Sequence, residues 1–378
     1  DDWRDILSVH LDGYLNVLTA ALPLMAAAGH GHILGVTSGS GWRSADAGAY
    51  GCAKRAVAAL TWQLGRHAPP GVVVNAISPI AATRMVTAAL GRAPVRTQGP
   101  AGSATGGLSL DAMPAPEDLG PLGAHLVGSS FAACRGRVIF AGGSEVAVVD
   151  EPRLLEVIRG DDVASPAHVL EAATTIALSG AEARQATGGG SNARFGARFD
   201  AKPDAALPDP VIRRCAIATD RADFSAALGS ALAARGVTVH VVASPAELAA
   251  LDTPDAVVIA LTGPAATGAA GTEWERILAE HDGLAEKIHA DATWTRAVAD
   301  LARSADRALR LVTVTAAGSA GGRSRAQAAA QLARAGRRAT GDLVTPFAVS
   351  AETDCLPTEL VAHLVCSPAA ADLAGAEL

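Results

Sequence analysis

Short apolar segments alternate with helical ones along most of this chain, and this alternation limits the folds open to it more than any other feature. Each apolar segment lacks polar alternation, as strands covered by helices on both faces of a parallel sheet do. The pattern therefore predicts an α/β protein with a doubly wound parallel sheet. In the first part of the chain the strands are predicted at 32–37, 72–77 and 138–141, and the helices at 3–28, 49–67 and 116–128.

The same order of elements begins again at residue 211. Residues 151–210 separate the two runs and combine an Ala-rich helical piece at 164–184 with a Gly- and Pro-rich stretch typical of a linker. A shared tryptophan and histidine accompany the shared order, which predicts tandem duplication rather than two unrelated α/β domains of similar composition. We call residues 1–150 the first unit and residues 211–378 the second unit. The matching motifs are Trp3-x-x-Ile6-Leu7-x-x-His10 and Trp274-x-x-Ile277-Leu278-x-x-His281.

Composition and charge narrow the classes of function. The 378 residues carry a formal net charge of −7, whereas a nucleic-acid binder presents a basic face, so we expect no nucleic-acid partner. The 5 cysteines are scattered without a CxxC pair, which predicts neither disulfides nor a metal site and favours a cytoplasmic location. The longest apolar stretch, residues 17–29, is shorter than the roughly 20 residues that span a bilayer, so we expect no membrane segment.

Tyr50 and Lys54 lie four residues apart on the predicted helix 49–67, and therefore on one helix face. With 2 tyrosines and 3 lysines in the chain, a chance Tyr-x-x-x-Lys has odds of about one in sixty. A cation beside a phenol favours the phenolate, which suits the pair to acid–base work on a substrate hydroxyl. Ser38 follows the strand at 32–37, where its hydroxyl would hold the substrate oxygen. The alternative is an exposed helix pair without a function.

These residues sit in a segment that resembles a known enzyme family. HILGVTSGSGWRSADAGAYGCAKRAVAAL resembles the active-site segment of the short-chain dehydrogenase/reductase family, and VVVNAISPIAATRM resembles the strand and loop that follow it. The resemblance implies a Rossmann-like fold in both units. It also implies that Tyr50 is the catalytic acid/base, that Ser38 polarises the carbonyl, and that Lys54 binds the nicotinamide ribose and assists Tyr50.

The resemblance further implies a dinucleotide cofactor, NAD or NADP, between which the sequence does not choose. The residues expected to contact it are Tyr50, Lys54, Pro79, Ile80 and Thr83. The family holds the pyrophosphate on a TGxxxGxG turn, and no such motif precedes Tyr50 in this sequence. Because the chain opens directly on a helical pattern, we expect the first unit to lack its N-terminal strands.

His10 stands where the family usually has an asparagine, and it is expected to take part in the proton relay as a fourth catalytic residue. The alternative is a histidine that only packs between helices, because His281 repeats it in the second unit. The Val9-His10-Leu11-Asp12-Gly13 context, together with Pro79-Ile80, resembles the 3-hydroxyacyl-CoA dehydrogenase subgroup. That similarity makes a 3-hydroxyacyl or 3-oxoacyl thioester a candidate substrate.

The second unit lacks these residues. Its first strand is followed by Asp220 and Asp223 instead of glycines, and 325–329 (RAQAA) replaces the Tyr-Lys segment. We therefore interpret it as a degenerate, non-catalytic copy. Family members usually dimerise through helices equivalent to 3–28 and 49–66. The helices at 274–304 and 325–335 are candidates to replace a partner subunit there, the alternative being a homodimer.

Taken together, the residues predict an NAD(P)-dependent oxidoreductase that interconverts a secondary alcohol and a ketone, provided that the full protein supplies the N-terminal cofactor segment. Its substrate is a small molecule or an acyl thioester. The alternative is a non-catalytic scaffold or assembly protein built from the same fold. A third interpretation is a reductase unit that acts with a carrier-protein partner. Tyr50, Lys54 and Ser38 all occur in the first unit and are all replaced in the second, which favours the enzyme.

Overall fold

The computed structural model describes most of both units and little of the segment between them. The predicted helical piece at 164–184 lies outside the described residues. Two short parallel strands, β5 (Glu156–Gly160) and β6 (Arg194–Phe199), pair with each other within the stretch predicted as a linker. The described residues are 2–41, 47–84, 114–129, 134–142, 145–151, 156–160, 194–199, 212–252, 254–262, 271–351, 357–375 and 377–378.

A long helix, α1 (Asp2–Ala28), opens the first unit. The structure forms the helix predicted at 3–28 but interrupts it with a π-helical turn, Ser8–Asp12, where the Gly13 N–H donates to the Ser8 carbonyl. By length and composition α1 is the one helix among those described that could cross a membrane, although core helices pass the same test. Its inward side is buried within the protein. The buried leucines are Leu7, Leu11, Leu15, Leu18 and Leu22.

Among the described residues, the first sheet has four strands in the order β1-β2-β3-β4. The first three are parallel, as the sequence predicts, and β4 returns antiparallel to β3. The sequence interpretation ended this sheet at residue 141. A strand that starts so soon after β3 has no room for a crossover and must pair antiparallel. The elements are β1 (Gly31–Val36), α2 (Gly48–His67), β2 (Val72–Pro79), α3 (Gly120–Leu126), β3 (Val138–Gly142) and β4 (Glu145–Val149).

In the part of the second unit that the structure describes, the sheet has five parallel strands in the order β11-β10-β9-β7-β8. The strand order reverses between β9 and β7, which is the defining feature of a doubly wound sheet. The α/β, Rossmann-like fold predicted from the sequence is confirmed. The elements are β7 (Arg214–Thr219), α4 (Ala222–Ala233), β8 (Thr238–Val241), α5 (Pro245–Ala250), β9 (Ala256–Ala260), α6 (Glu273–Glu280), α7 (Leu284–Ala305), β10 (Leu309–Ala316), α8 (Ala320–Ala339), β11 (Val344–Ala351) and α9 (Thr358–Cys366).

Helices of the two units pack directly against each other. Helix α2 contacts α8, and α1 contacts α6 and α7. One buried apolar cluster joins Leu11 and Val57 of the first unit to Ile288 and Leu332 of the second. Helix α2 is buried along nearly its whole length, because β2 covers one side and the second unit covers the other. Its many small residues allow this close approach.

Candidate active site

Helix α2 brings Tyr50 and Lys54 together on one face. The Lys54 Nζ lies 5.5 Å from the centroid of the Tyr50 ring. Tyr50 is half-buried and Lys54 is buried, with 7% of its surface exposed. The i, i+4 spacing in the sequence therefore places the ammonium of Lys54 beside the phenol of Tyr50.

The end of strand β1 fixes this turn of α2. The Lys54 ammonium donates to the Val36 carbonyl at 2.8 Å, and the Thr37 hydroxyl donates to the Lys54 carbonyl at 2.6 Å. Burial lowers the pKa of Lys54. Thr37 is 1% exposed. It was not predicted as a site residue, because nothing in the sequence indicates that a threonine after a strand will form a hydrogen bond to a helix.

Ser38 follows Thr37 directly, at the point where the chain leaves the sheet. Its side chain is half-buried, and its hydroxyl oxygen accepts a hydrogen bond from the Ser40 N–H at 3.2 Å. That bond uses an oxygen lone pair and leaves the hydroxyl proton to donate elsewhere. The chain order β1, Ser38, then α2 thus places the serine at the carboxyl end of β1, the edge where open α/β sheets bind ligands.

His10 reaches the same site from α1. It lies in the π-helical turn, and its ring meets the Tyr50 ring edge-on, with centroids 4.9 Å apart and planes at 81°. Burial, and secondly the charge of Lys54, lower the pKa of His10, which keeps the imidazole neutral at neutral pH. π-Helical turns occur frequently at functional sites.

His281, the repeat of His10 in the second unit, has a different environment. It is 1% exposed, and its ring nitrogens lie 2.7 Å from the Ser324 hydroxyl and 2.7 Å from the Ile277 carbonyl oxygen. Burial lowers its pKa to about 4. The packing interpretation weighed for His10 thus describes His281, whereas His10 contacts Tyr50.

The residues predicted on the cofactor side lie at the end of strand β2 and just beyond it. Val36 of β1 and Ile77 of β2 are partners in the parallel register, so Ser38 and Pro79 lie at the same edge of the sheet. Pro79 and Ile80 are half-buried there, and Ile80 is held by its N–H, which donates to the Ala141 carbonyl at 2.9 Å. The last residue of this set, Thr83, is exposed, and its N–H donates to the Ala81 carbonyl at 2.8 Å.

Tyr14, the other tyrosine of the chain, is a core residue. Burial raises its pKa to about 12. A Cβ on Gly35 would lie 2.6 Å from its hydroxyl oxygen, so the ring lies directly against β1. Of the two tyrosines, Tyr50 is the one placed beside a cation and a histidine.

Side chains of the second unit fill the edge of its own sheet where the strand order reverses. The Thr262 N–H and hydroxyl donate to one Asp220 carboxylate oxygen at 3.0 and 2.9 Å. Arg325 forms a bidentate pair with Asp291, at 2.6 and 2.8 Å, and also donates to the Leu261 carbonyl at 2.7 Å. Within the parts of the chain that the structure describes, no three His, Cys, Asp or Glu side chains are grouped as metal ligands.

Known proteins have sequences similar to the part of the first unit that contains this site. A family model described as short chain dehydrogenase matches residues 1–92. An uncharacterized oxidoreductase of Staphylococcus epidermidis is 37% identical over 81 residues, covering 21% of this chain and 35% of that protein. One from Staphylococcus aureus is 34% identical over 91 residues, covering 24% and 39%. The chain thus spans between a third and two fifths of the length of these relatives.

Two solved structures are similar at low identity. The N-domain of a bacterial malonyl-CoA reductase, solved with NADP, aligns with a TM-score of 0.48 and 19% identity, covering 92% of this chain and 69% of that one. A short chain dehydrogenase from Mycobacterium avium aligns with a TM-score of 0.34 and 22% identity, covering 52% and 59%. The sequence match over residues 1–92 includes His10, Ser38, Tyr50 and Lys54. Over residues 1–92 the chain thus matches the short-chain dehydrogenase/reductase family.

Proposed function

We propose that this chain is part of an NAD(P)-dependent oxidoreductase that interconverts a secondary alcohol and a ketone. The observation that carries the proposal is the position of Tyr50, with His10 against its edge and the Lys54 ammonium 5.5 Å from its centre. A phenol beside a cation and an imidazole is suited to acid–base work on a substrate hydroxyl. The match of residues 1–92 to the short-chain dehydrogenase model supports the same reaction class.

The chemistry divides between the cofactor and the chain. A nicotinamide held at this site would supply the hydride for reduction of the ketone and would accept it in oxidation of the alcohol. In the direction of reduction, the Tyr50 hydroxyl donates its proton to the carbonyl oxygen, and the Ser38 hydroxyl donates a hydrogen bond to the same oxygen. In the direction of oxidation, Tyr50 takes the proton from the alcohol. In oxidation, the neutral His10 imidazole beside Tyr50 then accepts that proton and releases it to solvent. In reduction, His10 takes a proton from solvent and gives it to Tyr50.

Lys54 fits the role of holding a ribose diol. An ammonium has three N–H donors, and the Val36 carbonyl uses one of them, which leaves two for the adjacent hydroxyls of a ribose. Half-buried Pro79 and Ile80 at the same sheet edge would cover a flat nicotinamide ring. We propose NAD or NADP as the cofactor on this basis.

The substrate proposed is a 3-oxoacyl or 3-hydroxyacyl thioester. It rests on the likeness of the residues around His10 and Pro79 to the 3-hydroxyacyl-CoA dehydrogenase subgroup. The test is the oxidation of NADPH and of NADH by the full protein, with acetoacetyl thioester or a simple ketone as the acceptor. We expect turnover with the thioester, its loss in Tyr50→Phe, and retained turnover in Tyr14→Phe. Equal rates for wild type and Tyr50→Phe would contradict the mechanism. A folded protein that binds neither cofactor would favour a scaffold.

We further propose that the second unit takes the place of a partner subunit. The support is the buried cluster that joins α1 and α2 to α7 and α8, since these are the helix faces that a family dimer would pair. Light scattering on the full protein tests it. A monomer is expected, and a dimer that dissociates on substitution of Leu11 or Val57 would contradict the proposal.

A further inference from the structure

Arg55 follows Lys54 on helix α2 and carries a buried charge. Its side chain is 2% exposed, and a buried guanidinium is costly unless partners compensate it. One Nη donates to the Gly41 carbonyl at 3.5 Å. The other donates to the Gln327 side chain and pairs with the Glu377 carboxylate. The countercharge of an arginine beside the candidate active site therefore comes from the second unit.

The loop that carries Ser38 rests on this arginine and on the second unit. The Ser40 carbonyl accepts a long hydrogen bond from Gln331 Nε2 at 3.4 Å. A Cβ on Gly41 would lie 2.7 Å from the Arg55 Cγ, so the loop lies directly on the arginine side chain. Within the loop, the Gly41 N–H donates to the Ser38 carbonyl at 3.2 Å. Because of this hydrogen bond, a shift of Gly41 would also move Ser38.

Glu377 is itself held firmly. It forms a parallel bridge with Ala348, a residue of β11. The neighbouring Leu378 N–H donates to the Ala348 carbonyl at 3.0 Å, and the Ser350 N–H donates to the Leu378 carbonyl at 2.7 Å. The Gln327 Nε2 donates to the second oxygen of the Glu377 carboxylate at 3.3 Å. A backbone fixed to the second sheet thus supports the carboxylate that meets Arg55.

We propose that Glu377 and Gln331 of the second unit are positioning residues for Ser38, so that the second unit determines the activity of the first. The inference rests on the proposed function. Loss of the Glu377 charge leaves Arg55 without its countercharge and releases the Gly41 carbonyl, which moves the Ser38 hydroxyl away from the substrate oxygen. Cofactor binding is retained, because the Lys54 bonds to β1 do not involve the second unit.

Steady-state kinetics of Glu377→Gln in the full protein test the proposal. We expect kcat to fall about tenfold, as for the loss of a hydrogen bond to a charged group, with an unchanged Kd for the reduced cofactor. Glu286→Gln is the matched control, because it removes another ion pair that joins the units, Arg4–Glu286, which is exposed. We expect this control to leave kcat unchanged. An equal fall in both variants would contradict a role specific to Glu377.

A double variant separates positioning from stability. Arg55→Met combined with Glu377→Gln removes both charges, and we expect it to recover the unfolding midpoint lost in Glu377→Gln. The kcat should stay low, because the Gly41 carbonyl still lacks its donor. Recovery of kcat together with stability would show that Glu377 acts only through stability and would overturn the proposal.

Hydrogen exchange of the loop amides tests the same coupling without turnover. We expect the peptide that contains Ser38 and Gly41 to exchange about tenfold faster in Glu377→Gln and at the wild-type rate in Glu286→Gln. Faster exchange in a protein that turns over no substrate would support the coupling and contradict the proposed function. Unchanged exchange and unchanged kcat in Glu377→Gln would overturn the coupling and leave the proposed function standing.

Discussion

The imidazole of His10 meets the phenol of Tyr50 edge-on, with the ring centroids 4.9 Å apart. The two residues come from different helices, and His10 lies in the π-helical turn of α1. A wider turn changes the direction in which the following side chains point. Since burial and the Lys54 charge lower the pKa of His10, the ring stands beside Tyr50 as a neutral acceptor.

Replacement of His10 should therefore impair proton transfer and leave binding intact. We expect His10→Ala to lower kcat about tenfold, at the lower end of general acid–base effects, because Tyr50 loses the group that exchanges its proton. The Kd for the reduced cofactor should not change. Fluorescence titration and steady-state rates measure the two quantities. His281→Ala is the corresponding change in the second unit, and an equal fall in kcat there would mean that His10 acts through folding.

Lys54 should matter for cofactor binding as well as for rate. Lys54→Met keeps the apolar stem but removes the donors to the Val36 carbonyl and to the ribose, so we expect the Kd for NAD(P)H to rise by at least about tenfold. Isothermal titration of the full protein measures this change. Lys287→Met, in α7, is a control that removes the same charge from the second unit. Unchanged cofactor affinity in Lys54→Met would exclude Lys54 from the ribose site.

The sequence predicts the site better than it predicts the contacts that support it. Tyr50 and Lys54 were predicted from i, i+4 spacing, because a helix fixes which residues share a face. Thr37 was not, because its bond to the Lys54 carbonyl depends on how close β1 comes to α2. Arg55 was missed for the same reason, since its partner Glu377 is distant in sequence and adjacent only in the fold.

The apolar spacing of the sequence also did not predict the irregularities of some helices and strands. The apolar spacing of residues 3–28 predicts one regular helix, and a π-helical turn changes that spacing by a single residue, which is too little to read from the sequence. His10, the histidine that His281 repeats in the second unit, lies in this π-helical turn. In the second unit the helical stretch predicted at 274–304 breaks at His281, between α6 and α7. Strand β4 was missed, because the glycine pair Gly142-Gly143 is the one indication of a turn before the strand begins at Glu145.

Gly65 should contribute to stability in spite of its place inside helix α2. A Cβ there would lie 2.0 Å from the Gly136 Cα, a backbone atom held by the Gly136 N–H bond to the Val74 carbonyl at 2.9 Å. We expect Gly65→Ala to lower the free energy of unfolding by about 1–3 kcal/mol. Gly229→Ala in α4 is the matched control.

Gly229 lies in a helix with nothing within 4 Å of a built Cβ. Alanine there should stabilise the protein by about 0.5–1 kcal/mol, because glycine loses more backbone entropy on folding. Urea unfolding of both variants measures the two effects. If Gly65→Ala stabilises the protein as Gly229→Ala does, the close approach of α2 to Gly136 is wrong.

His281 should make the stability of the protein depend on pH below neutrality. Burial lowers its pKa to about 4 in the folded protein, against 6.5 for an ordinary histidine. Below about pH 6.5 the unfolded chain binds a proton that the folded protein does not, so stability falls as the pH falls. Over the interval down to about pH 4 the loss from this residue should be about 3 kcal/mol.

The difference between wild type and His281→Gln isolates this contribution from that of the carboxylates. We expect His281→Gln to be less stable at neutral pH, since a rigid buried hydrogen bond to Ser324 is lost, but to lose less stability on acidification. His240→Gln, at an exposed histidine on β8, is the control for the substitution itself. Parallel pH profiles for wild type and His281→Gln, from urea unfolding at each pH, would mean that His281 is protonated in the folded protein.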